Sequence, residues 1–592
     1  MEPKTWVFTF LGIYIIYCFW WGLRGYFTEK TASGYAIGGR SIPFIAFLMA
    51  ATAASFSGWT TVGHPGLIWR DGLAYAFASF YVLTIPITGA FFAKRNWLLG
   101  KHYGFVTPGD MFAYYYNNEA IRWLTVLSAV LYSMFYSGLQ LIAAAKLFEI
   151  VAGVPYTAGL FFMAFIVWFY VVTGGLKAST WVGVIQFILL VLSIVLLGYF
   201  TITAPALGGW TEFSNNIRML EAKYLTVPSV IHFGLGAGGW TTVMILTYMF
   251  ALMGIQSSPA FILWNFGMAN PKALPWQQVF MSTFIVGIAL FFFTAFQGMG
   301  ARILQNMGEI APQVDGDVVP MLMNYVLPGP VMAIVFLGII AAIHSTAAPY
   351  IGTGGTIVLR DVYWRYFKKK KAGHAEQIWA NRFFVTVITV LAVVVSLTAP
   401  GAIVMIGGFA TAFGFIMYLM LLGVHYGFKY PSIGVVIGLL GAIIACFITY
   451  FVYQYPLSMH TAFWGLFTGL VIAYLCRALG VKDSKETMER QAEVRAWLDD
   501  VDGPSESGKK WRNAMKVLVP LWYLCAIGPF CIIGNGAFEF AGFPPLWSWQ
   551  IVWWIVGIVM MWALCFKAEM STTSATQIRR ADENQNIVVD EI

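Results

Sequence analysis

A long succession of apolar segments constrains the fold more than any other feature, because each is long enough to cross a lipid bilayer as a helix. The sequence predicts fifteen spans, at residues 5–24, 42–70, 73–94, 121–149, 156–176, 180–203, 241–268, 276–301, 328–359, 377–398, 401–424, 432–453, 459–479, 517–537 and 547–566. Of 592 residues, 59% are hydrophobic and 10% are charged, whereas soluble domains carry about 25% charged residues. We therefore predict an all-α polytopic membrane protein.

Basic residues indicate how the chain crosses the membrane, since Lys and Arg favour cytoplasmic loops. With the N-terminus outside, 29 of the 35 Lys and Arg residues fall in inner loops or the inner tail. The odd number of spans then places the C-terminus inside. This topology explains the net charge of +8, so no nucleic-acid partner is expected. The expected location is the plasma membrane, which in bacteria is the inner membrane.

Motifs for catalysis do not occur on the loops. The sequence has no HExxH, Walker or GxSxG pattern there, and its six cysteines stand singly in apolar runs. A membrane enzyme is therefore not expected, and no catalytic or cofactor-binding residues are predicted. The charged loops at 302–327 and 480–516 are expected to be solvated connectors.

Two spans contain residues that interrupt a membrane helix. Span 2 includes SGWTTVGHPG, and span 7 includes GIQSSPAF from Gly254 to Phe261. The two spans lie five apart, and an odd offset makes the second five-helix unit enter from the opposite side. Paired broken helices in inverted repeats indicate a substrate site near the bilayer midplane. The pattern therefore favours a secondary transporter that works by alternating access.

These observations divide the chain into seven segments. They are an N-terminal extra helix and inner loop (1–41), a first five-helix repeat (42–203), an outer loop (204–240), a second inverted repeat (241–424), two additional helices (425–480), a charged cytoplasmic segment (481–516), and two C-terminal helices with a short tail (517–592).

Several motifs together resemble the sodium/solute symporter family over roughly residues 1–480. They are YAIGGRSIPF, SGWTTVGHPG, FYSGLQLIAAAKLFE, TGGLKASTWVGVIQ, AAIHSTAAPY and LRDVY, and the span 2 motif is most similar to the sodium/proline branch. The resemblance implies a LeuT-type inverted repeat of five plus five helices, with one extra helix before it and about four after it. It also implies sodium-coupled symport of a small organic solute.

The resemblance further implies one sodium site between spans 2 and 9. Its ligands would be the carbonyls of Ala53, Phe56 and Ala342 and the hydroxyls of Ser345 and Thr346. An oxygen cage suits a hard cation, and an unwound helix supplies carbonyls without an intrahelical partner. The alternative is that both hydroxyls only bond back to the preceding turn of their own helix.

Departures from the family pattern limit the stoichiometry and the substrate. Gly183 stands where many members carry an Asp that serves a second sodium, so one sodium is favoured. Ser55 replaces an Asp of the proline branch, and Ala251 and Ile255 replace two aromatic residues of its proline site. Proline is therefore doubtful as the solute.

The expected solute is a small carboxylate or a zwitterion such as an amino acid, with a sugar less expected. Spans 2, 4, 7, 9 and 11 hold no Asp or Glu deep in their interiors, so a cationic solute would find no counter-charge. A carboxylate could use free N–H groups where a broken helix restarts, around Gly63 or Ser257 and Ser258. Predicted solute-facing residues, each also compatible with interhelical hydrogen bonding, are Ser57, Trp59, Thr60, Tyr136, Gln140, Gln256, Ser257 and Ser258.

Two alternative functions remain open from the sequence. His64 and His344 lie in the motif regions, and a histidine there could carry a proton in a proton-coupled symporter. The other interpretation is that each histidine bonds between helices. A solute sensor of the same fold would act through a separate protein partner, which the sequence does not identify.

Overall fold

The structure is a computed structural model that describes residues 2–236, 238–398 and 403–583. Throughout these ranges the regular secondary structure is helical, and β-pairing is limited to isolated bridges such as that between Ile42 and Met268. The prediction of an all-α protein is confirmed. Residues 401 and 402 of one predicted span and residues 584–592 of the predicted tail lie outside the described residues.

The α-helices follow one another with short connections. They are α1 (Pro3–Thr28), α2 (Ala32–Ile37), α3 (Phe44–Ser55), α4 (His64–Asp71), α5 (Leu73–Ala76), α6 (Tyr81–Tyr103), α7 (Pro108–Tyr116), α8 (Glu119–Leu147), α9 (Tyr156–Ile202), α10 (Gly209–Arg218), α11 (Thr242–Ser257), α12 (Pro259–Gly267), α13 (Ala295–Asn306), α14 (Asp315–Val326), α15 (Gly329–Val358), α16 (His374–Thr398), α17 (Ile403–Phe415), α18 (Tyr418–Tyr426), α19 (Ser432–Phe447), α20 (Thr461–Ala478), α21 (Lys485–Val501), α22 (Glu506–Ala526), α23 (Pro545–Trp562) and α24 (Ala575–Asp582).

Wider π-helical turns extend or interrupt several of these helices. They span Trp59–Gly63, Phe148–Ala152, Trp276–Val286, Ala289–Thr294, Leu359–Phe367, Ile448–Val452 and Ala563–Lys567. Such turns are rare and concentrate at functional sites, and the first of them follows the predicted break in span 2.

Eleven helices in the described residues are long and apolar enough to cross a membrane, and up to fourteen if each bent helix pair counts as one span. The 47-residue α9 holds two predicted spans, because Gly175 interrupts it with φ 64° and ψ −159°. At about 1.5 Å per residue, such a helix is more than twice as long as a hydrocarbon core of about 30 Å. The orientation of the chain and the inverted relation of the two repeats stay predictions.

Burial places two spans at the centre of the bundle. In the span Leu73–Tyr103, which contains α6, 94% of the most apolar window is buried, and the same fraction holds for Ile403–Tyr426. In α1 and α20 the fraction is 28%. The central spans therefore face protein on nearly every side, whereas α1 and α20 contribute much of the surface that meets lipid.

The C-terminal membrane helix α23 belongs to the bundle. Trp554 Nε1 donates to the Thr283 carbonyl at 2.9 Å, and Trp547 Nε1 donates to the Phe291 carbonyl at 2.8 Å. Gln550 Nε2 donates to the carbonyl of Leu73 at 2.8 Å. These contacts fix α23 against the central span that contains α6 and against the π-helical span that leads into α13.

The segment 480–516 is more than the solvated connector that its charges predicted. One face of α21 is packed against the bundle, where Trp497 stacks on His102 with ring centroids 3.8 Å apart. Asp502, directly after α21, is buried and pairs with Lys94 and Arg95 of α6. Local charge density gave no sign of these partners, because they lie about four hundred residues earlier in the chain.

Candidate functional site

The first broken span bends by 50° between α3 and the helical stretch Trp59–Asp71. Phe56 has an extended backbone, with φ −124° and ψ 108°, and the chain returns to helical angles at Gly58. The predicted break is therefore confirmed, but the helix restarts at Gly58 rather than around Gly63. Pro65 needs no further break, because it falls in the first turn of α4, where a missing N–H is tolerated.

The second broken span bends by 40° between α11 and α12. Ser258 has φ −61° and ψ 151°, and its hydroxyl accepts the Phe261 N–H at 3.3 Å as an N-cap. Pro259, which has no N–H to leave unsatisfied, begins α12. Ser257 Oγ donates to the Gly414 carbonyl at 2.8 Å, so both predicted serines have partners that position the break.

Oxygen atoms from the two helices predicted to hold a cation lie side by side. Ser345 Oγ is 3.1 Å from the Ala53 carbonyl oxygen of α3 and 3.0 Å from the Ala342 carbonyl oxygen of its own helix, α15. Thr346 Oγ1 is 3.4 Å from the carbonyl oxygen of Ala54. Four of the five predicted ligands therefore lie at one contact between α3 and α15. The carbonyl of Ala54, which was not predicted, lies at the same contact.

Phe56, the fifth predicted ligand, is the extended residue at the break. This conformation takes its carbonyl out of the regular helical ladder, while its buried ring packs on Tyr81 with centroids 5.2 Å apart. Across the described residues, no group of three or more His, Cys, Asp or Glu side chains could hold a metal ion. Carbonyl and hydroxyl oxygens are therefore the candidate cation ligands.

The N–H groups at the break in α3 are already occupied. The Ser57 N–H donates to Thr60 Oγ1 at 2.9 Å, the Gly58 N–H to Gln140 Oε1 at 2.8 Å, and the Trp59 N–H to Ser57 Oγ at 3.1 Å. A carboxylate at this break would have to compete with these side-chain acceptors for the N–H groups. The sequence did not indicate the acceptor Gln140, because it comes from a different helix, α8.

Other predicted solute-facing residues lie near one or the other break. Gln140 Nε2 donates to the Tyr136 carbonyl at 3.2 Å, which confirms that these two residues share one face of α8. Thr60 Oγ1 forms a hydrogen bond with the Tyr81 hydroxyl, a partner that the sequence analysis missed. Gln256 is buried against Gly89 of α6, where a β-carbon would meet Gln256 Oε1.

Two of the positions that depart from the family pattern, Ser55 and Gly183, have structural explanations. Ser55 Oγ donates to the Ala51 carbonyl at 3.0 Å, within its own helix. At Gly183, a β-carbon would lie 2.7 Å from the β-carbon of Ala50, so α9 and α3 leave no room for a carboxylate. The close packing of α9 on α3 at Gly183 is therefore consistent with the absence of an Asp side chain there.

Both histidines bond between helices. His344 Nδ1 lies 3.0 Å from the Tyr14 hydroxyl of α1. His64 Nε2 lies 3.0 Å from Ser79 Oγ, and its ring stacks on Trp59 at 5.4 Å. These contacts agree with the interhelical interpretation, and His64 alone adjoins the predicted solute region.

A cavity of about 880 Å³ opens beside the broken helices. It is lined by Leu67, Arg70, Asp71, Ala74, Lys223, Tyr224, Thr226, Pro228, Gly238, Gly239, Trp240, Met244, Tyr248, Val314, Asp315, Val404, Met405, Tyr455 and His460. Trp240 Nε1 donates to Asp71 Oδ2 at 2.8 Å, and Arg70 forms two hydrogen bonds to the same carboxylate. Most of the lining comes from the predicted outer loops and the adjoining helix ends.

A buried ionic network lies at the far ends of the helices and was missed by the sequence analysis. Arg122 Nη1 is 2.7 Å from Asp110 Oδ1 and 2.6 Å from Asp361 Oδ1. Thr107 Oγ1 donates to Asp361 at 2.9 Å. Because the charges are fully buried, the network ties α7, α8 and the π-helical end of α15 together.

Two discontinuous helices beside a cluster of carbonyl and hydroxyl oxygens, within a bundle of membrane-length helices, define the protein class as a secondary transporter. The comparison with known families agrees. The chain matches the Sodium:solute symporter family over residues 35–441, and it belongs to that family.

Individual relatives are distant but extend over most of the chain. The chain is 24% identical to a sodium/pantothenate symporter of Haemophilus influenzae over 405 residues, covering 66% of this chain and 79% of the relative. It is 25% identical to a sodium/proline symporter of the same organism over 443 residues, covering 70% and 82%. Family and relatives are transporters rather than enzymes, and they support sodium as the coupling ion.

A solved structure confirms the fold. The chain superposes on a Na⁺-coupled sialic acid symporter in a substrate-bound outward-open state with a TM-score of 0.69. The two proteins share 14% sequence identity, and the match covers 82% of this chain and 99% of the other.

Proposed function

We propose that the protein is a plasma-membrane symporter that couples the inward movement of one sodium ion to the uptake of a small carboxylate or zwitterion by alternating access. The observation that carries the proposal is the position of Ser345 Oγ between the carbonyl oxygens of Ala53 and Ala342. These oxygens come from a broken helix and from the helix that packs on it.

The balance of protons and acceptors at this contact favours a cation. A serine hydroxyl has one proton to donate, and Ser345 has two carbonyl oxygens within 3.1 Å. Thr346 has one proton to donate and faces the Ala54 carbonyl at 3.4 Å. Acceptor oxygens therefore outnumber donated protons, and a hard cation can be coordinated by the excess.

The distribution of buried charge supports an anionic or zwitterionic solute. Buried carboxylates in the described residues are Asp110, Asp317, Asp361 and Asp502, all at helix ends. The breaks after α3 and α11 present neutral groups. An unpaired charge inside a membrane protein is costly, so a cationic solute would lack a counter-charge at the breaks.

Reconstitution into liposomes tests the proposal directly. Purified protein should accumulate solute only under an inward sodium gradient, and Ser345→Ala combined with Thr346→Ala should abolish that dependence. Thr353→Ala is a matched control, because its hydroxyl lies on the same helix and bonds within it, 2.6 Å from the Pro349 carbonyl. Equal uptake under proton and sodium gradients by the unmutated protein would favour proton coupling, and solute binding without net flux would favour a sensor.

A further inference from the structure

Five buried polar atoms between the cavity and the α3 break have no hydrogen-bond partner among the described residues. They are Trp59 Nε1, His64 Nδ1, the hydroxyls of Tyr75 and Tyr248, and His460 Nε2. All five side chains are at least 97% buried. Because buried polar atoms are normally paired, such a concentration of unpaired ones points to a ligand.

The five side chains form one continuous aromatic cage. His64 stacks on Trp59 at 5.4 Å and contacts Tyr75 at 5.4 Å, and Tyr248 contacts His460 at 5.2 Å. The Tyr248 ring also lies beside the Trp59 ring, with centroids 6.4 Å apart, so contacts link all five side chains. The unpaired atoms therefore belong to side chains of one connected cluster.

The cage lies where a solute would pass from the cavity to the broken helix. Tyr248 and His460 line the cavity, and Trp59 is the second helical residue after the break. Trp240, which also lines the cavity, contacts Tyr75 and Tyr248 with ring centroids 4.6 Å and 5.2 Å apart. The cage is thus open to a ligand from the cavity side.

Hydrogen-bond chemistry defines the group that the cage would bind. Trp59 Nε1 can only donate, and both tyrosine hydroxyls can donate. His460 Nδ1 accepts the Ala462 N–H at 3.2 Å, so in the neutral ring the proton is on Nε2, which becomes a fourth donor. Four donors in one cluster fit a group that only accepts hydrogen bonds.

We propose that this cage binds the carboxylate of the transported solute. The proposal rests on the function proposed above, and it specifies the side chains that recognise the solute. A carboxylate only accepts hydrogen bonds, and it can accept one from each of the four donors. These hydrogen bonds are stronger when the acceptor is ionised. The N–H groups at the α3 break are occupied by Ser57, Thr60 and Gln140, so they do not compete with the cage for this role.

A thermal-shift titration of the purified full-length protein tests the cage. The probes are acetate, pyruvate, L-alanine and L-proline, the carboxamide of each, and glucose, with and without sodium. We expect sodium-dependent stabilisation by at least one carboxylate and none by its amide. Tyr75→Phe and Tyr248→Phe should each weaken that carboxylate's apparent affinity about tenfold, as expected for a lost hydrogen bond to a charged group.

Tyr156→Phe is the matched control, because it removes the same atom from a tyrosine that bonds to the Ser396 carbonyl at 3.2 Å, away from the cage. Its affinity should equal that of the unmutated protein. Stabilisation by sodium alone reports on the cation site and shows that each variant is folded. A contrary outcome is that sodium stabilises all variants while neither Tyr75→Phe nor Tyr248→Phe lowers the apparent affinity for any carboxylate. That result would refute carboxylate binding by the cage and leave sodium coupling intact. If sodium has no effect on the unmutated protein, the proposed function itself fails.

Discussion

Replacement of Asp502 by Asn should destabilise the protein strongly, because it leaves two buried cations without their carboxylate. Asp502 Oδ1 lies 2.7 Å from Lys94 Nζ, and Oδ2 lies 2.7 Å from Arg95 Nε. The three side chains are 3%, 2% and 8% exposed, respectively. Breaking a buried ion pair from one side costs about 3–5 kcal/mol.

The remaining contacts place the expected loss near the lower end of that range. Lys94 Nζ keeps the Glu569 carbonyl at 3.2 Å, and Arg95 Nη1 keeps the carbonyl of His425. Neither cation would therefore be fully unsatisfied. We expect the free energy of unfolding to fall by about 3 kcal/mol in Asp502→Asn.

Chemical denaturation in detergent micelles measures this loss, with Asp500→Asn as the matched control. Asp500 carries the same charge two residues earlier, but its side chain is 68% exposed and pairs with Arg580 at the surface. Such surface pairs contribute about 0–1 kcal/mol. Equal losses in the two variants would refute the reasoning that burial makes Asp502 important.

The effect should not depend on pH in the neutral range. Burial raises the pKa of Asp502, but the Lys94, Arg95 and Arg512 cations outweigh it and lower the pKa below its usual value. A lowered folded-state pKa gives stabilisation that is present above the unfolded pKa, about 3.9, and is lost as the pH falls through the folded value. The difference between Asp502→Asn and the unmutated protein should therefore stay constant from about pH 5 to 8.

Three further changes test the packing described above. Gly183→Asp should lower the melting temperature without adding a second sodium, because the new β-carbon meets Ala50 at 2.7 Å; a sodium Hill coefficient that rises towards two would contradict this. Gln140→Leu should reduce the free energy of unfolding by about 1–3 kcal/mol, since a buried N–H at the break loses its acceptor; unchanged denaturation would contradict this. Asn535→Leu should speed proteolysis of the loop 204–240, because Asn535 holds the Val227 N–H and carbonyl at 2.8 and 2.9 Å; an unchanged cleavage rate would show that other contacts suffice.

Local sequence was sufficient to locate the two broken helices. The glycines, serines and prolines that interrupt spans 2 and 7 act on the backbone within a few residues, so their effect is visible without tertiary structure. The apolar length of each segment was equally informative about the spans. The pairing of Ser345 with Ala53 came from the resemblance, since nothing local connects positions 292 residues apart.

Features that depend on contacts between distant elements could not be predicted. The helix restarts at Gly58, whose N–H donates to Gln140 of α8, whereas the local pattern favoured a restart around Gly63. The aromatic cage combines residues from the first broken span, α5, α11 and the segment before α20. Tyr75, Tyr248 and His460 each resemble ordinary core residues, and only their unpaired atoms in the folded protein reveal a common site.

The ion pairs between α6 and Asp502 can form only after residue 502 has been synthesised. Arg95 is synthesised 407 residues before Asp502, which takes roughly 20–80 s at about 5–20 residues per second. During that interval Lys94 and Arg95 must keep to the membrane–water boundary, where long basic side chains can reach water. A ribosome that stops before residue 502 therefore leaves a central helix without its counter-ion, and such truncated chains should be cleared by membrane proteases rather than accumulate as shorter transporters.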